Sequence, residues 1–103
     1  MKTLRLTVTD FWPAADGYME YIGEVNLETR FDGNVEIDGG LGPVRFNTSL
    51  NVKGRLRVYS GTSIRVEGIV EAGGYIEAEG EVAACRGIFG GQDLENPLAP
   101  APT

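Results

Sequence analysis

The sequence predicts an all-β protein: a short parallel β-solenoid with a six-residue repeat over residues 45–92, preceded by a β-rich N-terminal cap. Three observations carry this. From Arg45 onward the chain divides into blocks of six, and the second residues read Phe46, Val52, Val58, Ile64, Val70, Ile76, Val82 and Ile88 without a miss. The fourth residues (Thr48, Gly54, Ser60, Val66, Ala72, Ala78, Ala84, Gly90) are never larger than valine. Several blocks end in glycine, at Gly68, Gly74 and Gly80. Six is even, so positions two and four share one face of a strand, and that face is apolar. Arg65, Glu67, Glu71, Glu77 and Glu79 fall on the other. The block-ending glycines let the chain turn, since glycine tolerates positive φ. An α-helix is excluded by its 3.6-residue period and by the β-branched and glycine content. An antiparallel sheet is the alternative; its hairpins favour Asn-Gly or Asp-Gly turns, and residues 45–92 contain neither.

Residues 1–44 differ in kind and read as the cap. KTLRLTVT (2–9) alternates, FWPAADGY (11–18) is a loop with Pro13 and Asp16-Gly17 as turn signals, and MEYIGEVNLETRF (19–31) is a long alternating strand. Asp32-Gly33-Asn34 is a turn, VEID (35–38) a short strand, and GGLGP (39–43) a linker. Residues 93–103 hold Pro97, Pro100 and Pro102, which oppose regular structure and define a Pro-rich tail.

Composition narrows the function. The 103 residues fit one domain. A net charge of -6, from 15 acids and 9 bases, lacks the basic footprint of a nucleic-acid binder and suits a basic protein partner. The acidity is concentrated in residues 1–44. One cysteine and no histidine exclude an intramolecular disulfide, a Cys/His zinc site and a Ser-His-Asp or Cys-His pair. GGLGP lacks the Lys-Ser/Thr of a phosphate loop. No enzyme activity, cofactor or metal is expected. The lone Cys85, the lack of an apolar signal core and the absence of any run near ~20 apolar residues predict a cytoplasmic protein without a membrane segment.

The block sequence IVEAGG-YIEAEG resembles the "SIEAGGSIEAG" arrays of bacterial and mobile-element proteins, and the geometry is similar to hexapeptide left-handed β-helices and to bactofilins. The resemblance covers residues 45–92. It implies three blocks per triangular turn, so residues 18 apart stack: Lys53 beside Glu71, Arg57 beside Tyr75, and Val52, Val70 and Ile88 in one column. The histidine used by hexapeptide acyltransferases is missing, which separates this chain from that activity.

Two functions follow. Small size, localised acidity and a rigid scaffold resemble phage-encoded anti-restriction and anti-CRISPR proteins. In that reading Glu20, Glu24, Glu28, Asp32 and Glu36, with Trp12, form a partner-binding surface for a basic protein. The bland alternative for the acids is a solvated strand face partly paired with Lys53, Arg55 and Arg57; for Trp12 it is a plug at the solenoid's end. The second function is a self-associating scaffold of bactofilin type, with Ile88 and Phe89 at the C-terminal end as the homodimer contact. Direct nucleic-acid binding is not expected in either.

Overall fold

The structure, a computed structural model, describes residues 2–23 and 30–90. Short alternating segments become strands: β1 (Thr3–Leu6), β2 (Phe11–Pro13), β3 (Met19–Tyr21), β4 (Asn34–Ile37), β5 (Gly42–Phe46) and β6 (Leu50–Val52). They continue as β7 (Leu56–Val58), β8 (Thr62–Val66), β9 (Ile69–Ala72), β10 (Ile76–Ala78), β11 (Val82–Ala84) and β12 (Gly87–Gly90). A single 3₁₀ turn, Val8–Asp10, separates β1 from β2.

The strands form three sheets, ordered β1-β4-β7-β10, β11-β8-β5-β3-β2 and β12-β9-β6. From β4 onward the chain visits them in rotation. Among the described residues every pairing of these strands is parallel except β2 with β3. Parallel sheets need a covered face, and here the inward residues of all three sheets supply one another's cover in a single apolar cluster. That cluster includes all eight second-position residues.

This arrangement overturns the expected six-residue-repeat solenoid over 45–92 with its separate cap, and the antiparallel alternative with it. The three sheets, two parallel and one mixed, run from Thr3 to Gly90, and β1, β3, β4 and β5 from the supposed cap or its linker are members of two of them. Nor is the spacing uniform. Partners are 21 residues apart for Val35 and Leu56, 20 for Val44 and Ile64, and 18 for Ile64 and Val82. The step from 18 to 20 has a local cause. β8 turns three residues inward (Thr62, Ile64 and Val66), where β11 turns Val82 and Ala84. Thr62 is the added inward residue. Its buried hydroxyl donates to the Asp38 carbonyl at 2.6 Å and accepts from the Leu41 N–H at 3.0 Å, so its polarity is satisfied.

The glycines do a different job from the one expected. Gly68, Gly74 and Gly80 do not have positive φ; Gly40, Gly42 and Gly61 do. A Cβ on Gly80 would overlap the Thr62 carbonyl, and one on Gly68 the Ser49 side chain. Glycine at these corners therefore permits close approach between successive layers.

Candidate protein-binding surfaces

Side chains on the outer faces line up across strands, so their charges meet partners from distant sequence. On the first sheet Arg5, Glu36, Arg57 and Glu77 lie side by side, alternating in sign. Arg5 reaches Glu36 at 3.1 Å and Asp38 at 2.7 Å, and Arg57 reaches Glu77 at 2.5 Å. Tyr59 is flanked by the guanidinium groups of Arg57 and Arg5, 4.6 and 5.0 Å from its ring centre. On the mixed sheet Arg45 is forked between Asp16 and Glu20, both at 2.5 Å, with Tyr18 beneath it. The Arg45 guanidinium holds both carboxyls below their usual range; a bond to Tyr18 N–H assists Asp16, and the Asn47 side chain assists Glu20. Arg65, and after it Cys85, lower Glu67 in the same way. The two carboxylates in turn raise Arg45.

The stacking expected at 18 residues gives way to these partners. Lys53 pairs with Asp32 at 3.4 Å, Glu71 with Arg30 at 3.9 Å, and Arg55 rather than Arg57 bonds Tyr75. At the 20-residue spacing Asn51 rather than Lys53 lies opposite Glu71, and Glu77 rather than Tyr75 opposite Arg57, while Lys53 and Glu71 turn to an acid and a base of earlier layers.

The anticipated acidic row therefore has a particular fate. Glu20, Asp32 and Glu36 each carry an ion pair to a base of this chain. Glu24 and Glu28 lie outside the described residues, as does the middle of the expected strand 19–31 (residues 24–29); of its described part Met19–Tyr21 is strand. Glu24, Glu28, Asp93 and Glu95 account for four acids beyond the described set, leaving 11 acids to face all 9 bases. The described surface is close to charge-balanced.

Trp12 does not plug the core. It is 65% exposed, and Phe11 takes the inward position, edge-on to Tyr21 and Phe46 at 5.8 and 5.9 Å. Alternation then sends Trp12, Glu20 and Ile22 outward from the β2–β3 ribbon. Four large apolar residues are exposed among the described residues, and Val8, Trp12 and Ile22 belong to this ribbon and the turn leading into it. The sequence signal for the ribbon was Phe11-Trp12-Pro13; the exposure of Val8 and Ile22 left none. The fourth, Phe89, stands on β12, while its neighbour Ile88 is buried in the core.

Among the described residues no three Asp, Glu, His or Cys side chains converge to hold a metal, and no helix is long and apolar enough to cross a membrane. No protein-family model, curated protein or solved structure matches the chain.

Proposed function

We propose that the chain is a non-enzymatic, cytoplasmic protein-binding inhibitor of anti-CRISPR type, occupying a basic nucleic-acid-binding surface of a defence complex. Its contact is the β2–β3 ribbon, with Trp12 as anchor, and not a continuous acidic face. The observation that carries the reading is the exposure of Val8, Trp12 and Ile22 along the β2–β3 ribbon and the turn leading into it, the ribbon's other face being locked into the core by Phe11 and Tyr21. Exposed tryptophan on a rigid support is the usual composition of an interface anchor, and the acidic excess of Asp10, Asp16 and Glu20 over the one Arg45 that the latter two share favours a basic rim on the partner.

The test is competition: purified nucleic-acid-binding defence complexes are titrated with the protein, and displacement of their nucleic acid is read. Wild type should displace it, and Trp12→Ala should weaken displacement at least about tenfold while melting normally. Displacement that survives Trp12→Ala but is lost in Glu24→Lys/Glu28→Lys would return the contact to the acidic row. No displacement by wild type would sink the reading. A self-associating scaffold is the second reading, and one observation favours it: β10, β11 and β12 are the outer strands of the three sheets on the C-terminal side.

A further inference from the structure

The charge pairing is nearly complete, and its two exceptions sit together. Among the described residues every Lys, Arg, Asp and Glu side chain has an ion pair, hydrogen bond or ring contact except Glu81 and Arg86. Both are exposed, and they bracket β11, which ends the mixed sheet. The Glu81 carbonyl accepts from Ile64 N–H and the Cys85 N–H donates to the Val66 carbonyl. Backbone groups alternate in direction along a strand, so those of Val82 and Ala84 point away from β8, to the side where no strand of the described residues pairs with β11.

We propose that β11 is a homodimer contact, pairing antiparallel with β11 of a second copy about a two-fold axis at Ala83. Val82 then faces Ala84 of the second copy, and the two exchange backbone hydrogen bonds. Ala83 faces Ala83 at a non-hydrogen-bonded position, where side chains come closest and small ones fit. Ala83 borders a shallow hollow shared with Arg65, Ala84 and Cys85, which leaves room there. Glu81 faces Cys85 of the second copy with Arg86 next along, so each unpaired acid meets an unpaired base, twice by symmetry. The opposite edge of the same sheet does not suit a head-to-tail arrangement. On the outer side of β2 the Phe11 N–H is already given to the Val8 carbonyl, and Pro13 has no N–H.

This contact is independent of the Trp12 ribbon, and so is its test. Light scattering after size exclusion, across concentration, should find a wild-type dimer. Glu81→Arg and Arg86→Glu should each weaken it about tenfold or more, because attraction becomes repulsion at two symmetric places. An equimolar mixture of the two variants should restore a dimer, and native mass spectrometry should show it to be mixed. Ala84→Pro, which removes an N–H from the open edge, should also weaken the dimer while keeping the fold's circular dichroism. A monomeric wild type at all concentrations, a dimer indifferent to both charge reversals, or a mixture that fails to re-associate would each overturn the proposal.

Discussion

At the scale of the residue, Arg45 concentrates more of the surface electrostatics than any single acid does. Its fork holds Asp16 and Glu20 below their ordinary values of 3.8 and 4.5. A carboxyl whose folded pKa is depressed contributes stability that is whole above its unfolded pKa and is lost as pH falls through the folded one. Stability should therefore decline below about pH 4.5, as these carboxyls take up protons. Arg45→Met should flatten that decline, read as the midpoint of urea unfolding between pH 7 and pH 2. An unchanged slope would show that these groups, exposed as they are, add nothing. The pairing of Asp32 with Lys53 was legible in the sequence, since bases alternate along 53–57. That Glu20 turns to Arg45 and Glu36 to Arg5 was not, because it depends on register.

The strand is the scale at which the sequence reading divides into what it resolves and what it misses. Alternation decided which side chains point inward, and the eight second-position residues, from Phe46 through Ile88, are all buried as the blocks require. Register is invisible to alternation when the error is two residues, because an even shift leaves every side chain on its own face. Thr62 is that shift, and a threonine at a block's end looks like a turn residue until its hydroxyl is found between Asp38 and Leu41. The corners were misjudged for a related reason: glycine was read for its conformational freedom, whereas Gly80 is needed for its missing side chain. Gly80→Ala should cost about 1–3 kcal/mol, since the strain falls on backbone that cannot rotate away. Chemical denaturation would measure it, and a neutral result would mean that the corner relaxes freely.

For the whole molecule, the common core matters most. Residues 1–44 supply Leu6, Phe11, Val35, Ile37 and Val44 to the same cluster as the later strands. A fragment of residues 45–92 should therefore lack a sharp thermal transition, which circular dichroism melting would reveal beside the intact chain's single one. A cooperative fragment would restore the separate cap that the sheets argue against. The candidate site was legible only as Trp12 and its acidic surroundings; the isolation of Glu81 and Arg86 emerges only once every other charge has found its partner. The blunt outer edge of β2, set by Pro13 and the Val8–Asp10 turn, has a further meaning for growth. A sheet with two receptive margins propagates into fibres, whereas one with a single receptive margin has a valence of one. Joining β11 to β11 spends that valence on both sides, so such an assembly terminates itself at two.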